Sequence, residues 1–374
     1  MKIWVIGRNY PLPQNGMQGS FELEQAKMLA SHGNDVSFLA CCLHPTKRIK
    51  GRGIHSWNDE NVKTYTLSAI FLPRVYPLYF TKWRNRLWMK LLEEAERENG
   101  LPEVIHIHYP AMLMLSDILS MYKDKGVRIV ATEHWTKVLA KKLDKLELKE
   151  YKKYKVSIDK FICVGSPLAA SVKDLVNVEP VIVPNVVNPL FKPSTEKHEG
   201  FRFVAVGRLV PVKQFDKIIE AFADCFGNNK DVSLMIIGGG PEKDKLQILI
   251  EERHIGDRVK LMGSQDRKHT AELVSNSDSL ICYSRFETFG VPIVEAWACG
   301  IPTTTTTAAA VIDNFDERLG VEVPYDDIND FKEKLKYIYE NCSFYNKEFI
   351  SEYAQGHFSE DAVYQRLKEV YLGE

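Results

Sequence analysis

The sequence contains no apolar run close to the roughly 20 residues that a membrane-spanning helix needs, so no integral membrane helix is expected. Its first residues, MKIWVIG, lack the long apolar segment and the small-residue cleavage site of a secretory signal, and they are predicted to form a buried strand. The seven cysteines include no CxxC pair, which argues against a zinc site and against a disulfide framework. These absences together predict a cytoplasmic protein with reduced thiols.

The sequence also has little net charge and no recognised nucleic-acid-binding motif, so we expect no nucleic-acid partner. The formal net charge of the 374 residues is -1 at pH 7, and 45% of the residues are hydrophobic, as in an ordinary globular protein. The charge is nevertheless uneven, because residues 1–195 carry 28 lysines and arginines against 19 acidic residues, whereas the rest carry 21 against 31. This asymmetry indicates that the first half meets an anionic partner.

The order of predicted elements indicates an α/β protein. Short apolar segments alternate with helical patterns in both halves, which is typical of parallel sheets covered by helices on both faces, and a polar stretch over residues 188–200 separates the halves. We predict two Rossmann-like domains facing a central cleft, residues 1–188 and 189–357, and a C-terminal helix over 358–374 that returns to the first domain. Since ligands of such sheets bind at the carboxyl ends of the strands, the chemistry is expected on the loops that follow strands.

The strongest motif, SRFETFGVPIVEA, occupies residues 284–296 directly after a predicted strand. Pro292 fits the first turn of a helix, where its missing N–H has no intrahelical partner. A helix beginning here leaves free backbone amides at its N-terminus, which can bind a pyrophosphate. The residues expected to form this anion site are Thr288, Phe289, Gly290 and Val291.

Two carboxylates flank the same segment. Glu287 lies in the predicted loop and Glu295 in the predicted first turn of the helix, and both can accept hydrogen bonds from vicinal hydroxyls. For Glu295 alone, a purely structural role that complements the helix dipole is an open alternative.

A second motif, GRLVPVK over residues 207–213, also follows a predicted strand directly. Arg208 can hold phosphate oxygens in a fork, and Lys213 adds a point charge. Together they would offset the charge that builds on a departing diphosphate, as a metal ion would. The alternative is a pair of solvated surface cations.

Two weaker motifs follow the next strands of the second half. GGGP at 238–241 includes Gly239, and the loop at 263–265 includes Ser264, which could contact a nucleotide base. A tight turn is an equally good interpretation of the glycine run.

These motifs together resemble the donor domain of glycosyltransferase family 4, which has the GT-B fold. The resemblance implies a retaining transfer of sugar from a nucleotide-diphosphate sugar, with UDP as the expected nucleotide, to a glycan or lipid-linked acceptor in polysaccharide or glycoconjugate biosynthesis. It implies no metal and no other cofactor. It assigns the diphosphate to Arg208 and Lys213, the donor sugar to Glu287 and the ribose hydroxyls to Glu295. Gln214 departs from the family pattern, because glycine commonly follows the lysine there.

By the same resemblance, the first half is the acceptor-side domain. The loop at 15–20, with Gly16 and Gly19, would let an acceptor or the diphosphate approach the backbone, although a flexible turn is the alternative. His134, just past a predicted strand, would orient the donor sugar, and it joins Arg208, Lys213 and Glu287 as an expected catalytic residue. A buried, satisfied histidine is the competing interpretation.

His106 and His108 share one face of a predicted strand by period two. A metal pair is conceivable, but no third ligand is evident. Packing at the end of the strand and contact with the acceptor are the two other interpretations.

Two basic segments suggest where the positive charge of the first half acts. Lys82–Lys90 interleaves cations with aromatic residues, and Lys137–Lys155 is rich in lysine, with leucines at helical spacing. Basic amphipathic helices can lie on anionic lipid, so we expect a peripheral position on the inner face of the membrane. A solvated helix with an apolar core face is the alternative.

Other functional classes fit the sequence less well. A Rossmann oxidoreductase would need GxGxxG after a strand, and the loop at 15–20 lacks that spacing. A nucleotide-sugar epimerase or hydrolase on the same fold, and a non-catalytic subunit that binds nucleotide-sugars, remain the rival hypotheses.

Overall fold

The computed structural model describes residues 1–12, 18–44, 52–70, 77–196 and 198–374. The chain divides into two units. Unit 1 comprises Met1–Pro184 together with Tyr364–Glu374, and unit 2 comprises Asn185–Val363. The boundaries expected from the sequence were 188 and 357.

Unit 1 is built on one sheet. Its strands are β1 (Lys2–Gly7), β2 (Asp35–His44), β3 (Gly53–Asp59), β4 (Val62–Ile70), β5 (Val104–His108), β6 (Arg128–Glu133), β7 (Lys160–Cys163) and β8 (Val181–Ile182). Within the described residues they form an eight-stranded sheet in the order β3-β4-β2-β1-β5-β6-β7-β8. Every neighbouring pair is parallel except β3 with β4.

Helices connect these strands and cover the sheet. They are α1 (Ser20–Ser31), α2 (Pro77–Asn99), α3 (Pro110–Leu113), α4 (Ser116–Asp124), α5 (Thr136–Leu139), α6 (Lys145–Ser157) and α7 (Ser166–Val176). The central strand β1 carries Ile3, Trp4, Val5 and Ile6, all fully buried. Such a continuous apolar run is what a strand covered on both faces requires.

The hairpin of β3 and β4 is not predicted from the sequence, so the expectation of a wholly parallel first sheet is wrong at this edge. The two strands pair antiparallel through Asp59 and Val62, and Glu60 adopts the left-handed conformation, with φ 56°, in the turn between them. Most of β3 is exposed. It therefore lacks the buried apolar run by which the predicted strands are recognised.

Unit 2 repeats the plan with a smaller sheet. Its strands are β9 (Phe201–Val206), β10 (Val232–Ile237), β11 (Val259–Gly263), β12 (Ser279–Cys282), β13 (Thr303–Thr306) and β14 (Gly320–Val323). In the described part of the chain these form a six-stranded parallel sheet in the order β11-β10-β9-β12-β13-β14. Strand β14 at the edge is absent from the sequence-based prediction.

The helices of unit 2 pack on both faces of this sheet. They are α8 (Phe215–Phe226), α9 (Lys243–Glu252), α10 (Arg267–Ser275), α11 (Val291–Ala298), α12 (Ile328–Asn341) and α13 (Lys347–Phe358). Helix α8 buries Phe222 and Phe226 against Phe203 of β9, with ring centroids 6.5 and 5.6 Å apart. This aromatic cluster fixes β9, and with it the loop that follows β9, in the sheet.

The last helix, α14 (Glu360–Leu372), ends in unit 1, which includes residues from Tyr364 onward. The Tyr371 hydroxyl lies 2.6 Å from Nδ1 of His106, and Arg128 donates to the Val370 carbonyl at 3.1 Å. Both contacts tie the end of the chain to the strands β5 and β6.

The first basic segment, Lys82–Lys90, is only partly a surface. Arg84 and Trp88 are buried, and the Arg84 guanidinium donates to the carbonyls of Met112 and Met114 at 3.2 and 3.4 Å. The interleaved cations and aromatics are therefore not one continuous lipid-facing surface. The exposed cations of this turn of α2 are Lys82, Arg86 and Lys90.

The second basic segment, Lys137–Lys155, is two helices rather than one, so the predicted stripe of leucines is wrong. Asp144 caps α6 by accepting from the amides of residues 146 and 147, and this capping box starts a new helix. Tyr151 and Tyr154 form the buried face of α6. Tyrosines carry the core contacts here, which a search for leucines at helical spacing misses.

Candidate active site

Most of the predicted donor-site residues of unit 2 follow β9 or β12, the two strands between which the order of the sheet reverses. The chain continues from β9 to β10 on one side, while β12 lies on the other side. In open α/β sheets the loops at this reversal diverge and leave room for a ligand. The amide of Arg285 donates to the Val212 carbonyl at 2.9 Å and ties the two loops together.

Arg208 is exposed at the start of the loop after β9. Its side chain has no hydrogen-bond or ion-pair partner in the described part of the chain. The backbone beside it is fixed, since the amides of Gly207 and Leu209 donate to the carbonyls of Ile237 and Gly239 at 2.9 and 3.0 Å. A guanidinium with unused donors on a fixed backbone can take an anion in a fork.

Lys213 and Glu287, predicted from separate motifs, are brought together. The Lys213 ammonium forms an ion pair with Oε1 of Glu287, and the Ser284 hydroxyl donates to the same oxygen at 3.1 Å. Burial disfavours the charged ammonium, but the Glu287 carboxylate outweighs it and raises the pKa of Lys213. Burial also raises the pKa of the adjoining Cys282 thiol to about 12, so it stays protonated at neutral pH.

The second carboxylate oxygen of Glu287, Oε2, has no hydrogen-bond partner among the residues that the structure describes. The ion pair with Lys213 and the bond from Ser284 hold the carboxylate in one orientation. Glu287 can therefore accept a hydrogen bond from a ligand hydroxyl without releasing Lys213.

Helix α11 begins where the sequence predicts. Gly290 has φ 102°, and the helix starts at the next residue with Pro292 in its first turn. The buried Phe289 packs against Phe358, with ring centroids 5.9 Å apart, and its carbonyl accepts from the Val311 amide at 2.9 Å. The backbone amides of residues 288–291 donate to no described residue. They form the free amide end that binds anions at helix N-termini.

Glu295 is buried, and its Oε1 accepts from Nη1 of Arg267 at 2.5 Å. The Arg267 guanidinium lies 5.5 Å from the centroid of the Phe191 ring. Arg267, the first residue of α10, is absent from the sequence-based prediction. The predicted position of Glu295 in the first turn is wrong, because α11 begins at Val291 and its first turn contains no acidic residue. The helix dipole therefore does not account for Glu295, whose carboxylate is oriented by the ion pair with Arg267.

The glycine run after β10 has a packing reason. A Cβ on Gly238, which has φ 146°, would lie 1.9 Å from the Gly207 carbonyl oxygen. A Cβ on Gly239 would lie 2.5 Å from the Ser264 hydroxyl. Glycine therefore allows the loops after β9, β10 and β11 to touch. A role of Gly239 and Ser264 in ligand binding stays a prediction.

In unit 1 the sheet order reverses between β1 and β5. Arg8, just after β1, lies 3.7 Å from the centroid of the Tyr109 ring, which follows β5. Its Nε donates to the buried Glu22 carboxylate at 2.8 Å. The Arg8–Glu22 pair is absent from the sequence-based prediction, because the two residues lie on either side of the predicted loop.

The glycine loop before α1 is described only in part. Gly16 lies outside the described residues. Gly19 has φ 98°, and a Cβ on it would lie 2.0 Å from the Asn9 carbonyl oxygen. The left-handed conformation and this close approach account for the glycine, and its contact with a ligand stays a prediction.

His134 is half-buried directly after β6, and its Nε2 lies 3.0 Å from Nδ1 of His108. Burial, and next the nearby Arg8 charge, lower the pKa of His134 to about 3, so the ring is neutral at pH 7. The competing interpretation of His134 as a buried, fully satisfied ring is not met, because Nδ1 has no partner among the described residues.

Glu133, next to His134, is fully buried. Its Oε1 accepts from the amides of His134 and Trp135, both at 2.9 Å. Burial raises the pKa of this carboxyl to about 7, although these hydrogen bonds oppose the shift. Glu133 thus holds the backbone that carries His134 and does not contact its ring.

Within the described residues, no group of three or more His, Cys, Asp or Glu side chains is placed to hold a metal ion. His106 and His108 stack with ring centroids 4.5 Å apart rather than converge on one point. None of the helices in the described residues is both long enough and apolar enough to cross a membrane.

Two sequence models of protein families match the chain in succession. The model of Glycosyltransferase Family 4 matches residues 19–190, and the model of Glycosyl transferases group 1 matches residues 187–355. The chain belongs to glycosyltransferase family 4. The resemblance read from the donor-site motifs is confirmed, and with it the prediction of a glycosyltransferase.

Curated relatives of this glycosyltransferase span most of its length. It is 26% identical over 313 residues to N-acetyl-alpha-D-glucosaminyl L-malate synthase of Bacillus anthracis, covering 80% of this chain and 78% of that one. It is 25% identical over 295 residues to the GPI3 subunit of phosphatidylinositol N-acetylglucosaminyltransferase of Saccharomyces cerevisiae (strain YJM789). That match covers 74% of this chain and only 62% of the yeast protein.

Solved structures share the fold. Sucrose-phosphate synthase from Thermosynechococcus elongatus superposes with a TM-score of 0.81 at 18% identity, over 100% of this chain and 99% of that one. Anabaena Alr3699/HepE in complex with UDP superposes with a TM-score of 0.75 at 14% identity, over 100% of both chains. The predicted fold class, two Rossmann-like domains of the GT-B type, is confirmed.

The departure of this glycosyltransferase at Gln214 has a structural explanation. Gln214 adopts a left-handed conformation, with φ 51° and ψ 39°, which favours the glycine common in the family. The buried glutamine amide lies between the Tyr283 carbonyl and Nε of Arg285, and with its nitrogen turned to the carbonyl it donates to Tyr283 at 3.0 Å and accepts from Arg285 at 3.2 Å. These two hydrogen bonds join the loops after β9 and β12, which offsets the cost of the backbone conformation.

Proposed function

We propose that the chain is a retaining, metal-independent glycosyltransferase that moves a sugar from a UDP-sugar to a hydroxyl of a glycan or glycolipid in glycoconjugate biosynthesis. The observation that carries the proposal is the Arg208 guanidinium, which has no partner among the described residues and lies where the strand order of unit 2 reverses. A backbone hydrogen bond ties its loop, after β9, to the loop after β12, which leads into the free amides at the start of α11. A diphosphate has the charge and the oxygen geometry that these donors match.

The cations of the site would do the work of a metal ion. As the sugar leaves, negative charge builds on the departing diphosphate, and preorganised donors stabilise that charge. Arg208 supplies a fork of donors, Lys213 supplies a positive charge held by Glu287, and the amides of residues 288–291 supply the helix end. Metal-independence is therefore part of the proposal.

The sugar and ribose would be held by the two carboxylates. Glu287 has one carboxylate oxygen without a partner and can accept from a sugar hydroxyl. Glu295, oriented by Arg267, would accept from the ribose hydroxyls. His134 would position the donor sugar. Retention would follow from attack of the acceptor on the face that the diphosphate leaves, with the leaving phosphate taking the acceptor proton.

The choice of donor is supported by the relatives. The names of two of them contain an N-acetylglucosaminyl group, and the Anabaena structure is a complex with UDP. We propose UDP-N-acetylglucosamine as the first donor to test. The acceptors of these two relatives support only that the acceptor of this chain is a hydroxyl compound.

The test is a thermal-shift screen of the full chain with UDP, GDP, ADP and their sugars, in buffer with EDTA. We expect UDP and a UDP-sugar to raise the melting temperature most, since a ligand at 100 times its Kd adds about 2.7 kcal/mol of stability. Product formed in EDTA should keep the α configuration of the donor by NMR. The proposal fails if no nucleoside diphosphate stabilises the protein, or if EDTA abolishes transfer.

We also propose that unit 1 touches anionic membrane lipid through α6. Lys145, Lys149 and Lys152 are exposed on that helix and have no ion-pair partner among the described residues. Other lysines nearby are paired, such as Lys141 with Asp174 at 2.5 Å. The unpaired lysines follow one another at intervals of four and three residues, which places them on one side of the helix.

Changing these three lysines to glutamine should release the protein from anionic vesicles. Each lysine near an anionic surface contributes about 1 kcal/mol, so the triple change should lower partitioning by about two orders of magnitude. Sedimentation with phosphatidylserine-rich and pure phosphatidylcholine vesicles measures it. The matched control removes the same charge from Lys230, Lys334 and Lys336 of unit 2 and should leave binding unchanged. Equal binding to both vesicle types would refute the lipid contact.

A further inference from the structure

Three histidines of unit 1 lie side by side with nearly parallel rings: His106 stacks on His108, and His134 meets His108 edge to edge through ring nitrogens 3.0 Å apart. His106 and His108 have ring centroids 4.5 Å apart, and His108 and His134 have ring centroids 5.3 Å apart. Both ring nitrogens of His106 are occupied, Nδ1 by the Tyr371 hydroxyl and Nε2 by the Thr132 hydroxyl, each at 2.6 Å. The His106 ring is thus held in one orientation, and His108 stacks on it.

His108 and His134 share one hydrogen bond, between Nδ1 of His108 and Nε2 of His134 at 3.0 Å. Burial lowers the pKa of both rings, so both are neutral at pH 7. A neutral imidazole has one N–H and one lone pair. Either His108 donates, which puts the proton of His134 on Nδ1, or His134 donates, which leaves Nδ1 of His134 as a bare acceptor.

The other nitrogen of His108 decides between the two arrangements. Nε2 of His108 is buried and has no hydrogen-bond partner among the described residues. If His134 donated, that nitrogen would carry a buried N–H without an acceptor, which is rarer in proteins than an acceptor without a donor. If His108 donates, Nε2 keeps only its lone pair. Donation by His108 therefore avoids the orphan donor.

We propose that His108 is a positioning residue that fixes His134 as the tautomer protonated on Nδ1. His134 then presents a hydrogen-bond donor, and it cannot act as a base. The identity of the acceptor of this hydrogen bond rests on the proposed function, under which it is an oxygen of the donor sugar. The half-buried ring of His134 leaves Nδ1 without a partner in the described chain, so that donor is available.

The direct test is long-range ¹H–¹⁵N correlation NMR of the full chain with ¹⁵N-labelled histidine, without substrate. The signals of His134 are assigned from the spectrum of His134→Gln. We expect Nδ1 of His134 and Nδ1 of His108 to be protonated at neutral pH. Protonation of His134 on Nε2 in the wild-type protein would overturn the proposal. This NMR measurement needs no variant of His108.

Two variants of His108 test its positioning role. His108→Phe keeps a stacked ring but removes the donor, so His134 should lose its fixed tautomer, and kcat should fall about tenfold, the equivalent of one lost hydrogen bond. His108→Gln can donate from its amide and should restore both the tautomer and much of kcat, with little change in KM. An unchanged His134 tautomer in His108→Phe would contradict the role. The tautomer is measured without substrate and is therefore independent of activity. A protein in which Nδ1 of His134 is protonated but which transfers no sugar would contradict only the proposed function.

Discussion

Replacing Arg208 with alanine is expected to lower kcat/KM for the UDP-sugar by about 10²–10³-fold, because loss of one preorganised donor to developing charge costs about that much in other enzymes. The guanidinium is exposed and has no side-chain partner among the described residues, so the change breaks no internal contact. Folding should therefore be unaffected. Steady-state kinetics with circular dichroism of the variant measures both effects.

Two further variants sharpen this prediction. Arg208→Lys keeps the charge and loses the fork, so it should recover only part of the lost rate. Arg253→Ala is the matched control, since Arg253 is an exposed arginine of the same unit whose ion-pair partner is Asp224. It should leave kcat/KM unchanged. Undiminished turnover in Arg208→Ala would remove the diphosphate role from Arg208. A fall confined to KM would mean that Arg208 binds substrate and transition state equally.

Much of the candidate donor site could be predicted from the sequence because its signals are local. A helix N-terminus is marked by Gly290 and Pro292 within three residues, and the helix begins there. Arg208 follows a strand of buried apolar residues, and strand ends are the ligand side of parallel sheets. Backbone rules of this kind operate over a few residues, so one sequence suffices to apply them.

What the sequence did not reveal depends on contacts between distant residues. Arg267 reaches Glu295, and Arg8 reaches Glu22, across loops whose course no local pattern encodes. Gln214 was evident only as a departure from the family, and its two hydrogen bonds give the reason. Strand β3 is not predicted because its residues are mostly exposed, so its sequence has no alternation of apolar and polar residues that would indicate a strand.

The ion pair of Lys213 with Glu287 allows a prediction about cooperation within the site. Lys213→Met and Glu287→Gln are each expected to lower kcat by about 10²-fold, because each removes charge from the transition-state environment. The Lys213 and Glu287 side chains are 20% and 11% exposed, so each single change also leaves the other charge largely buried and without its partner. The two groups should therefore act as one unit.

The double variant distinguishes one unit from two independent residues. Independent effects would multiply to about 10⁴-fold, whereas we expect the double variant to lose little more than the worse single one, a coupling of about 2–3 kcal/mol. The matched control is the surface pair of Lys245 with Asp216, 3.3 Å apart and 62% exposed at the lysine. The same cycle there should give a coupling below about 1 kcal/mol and no change in kcat. If the losses at Lys213 and Glu287 multiplied fully, Lys213 would act on the diphosphate without help from Glu287, and the paired site proposed for this glycosyltransferase would be wrong.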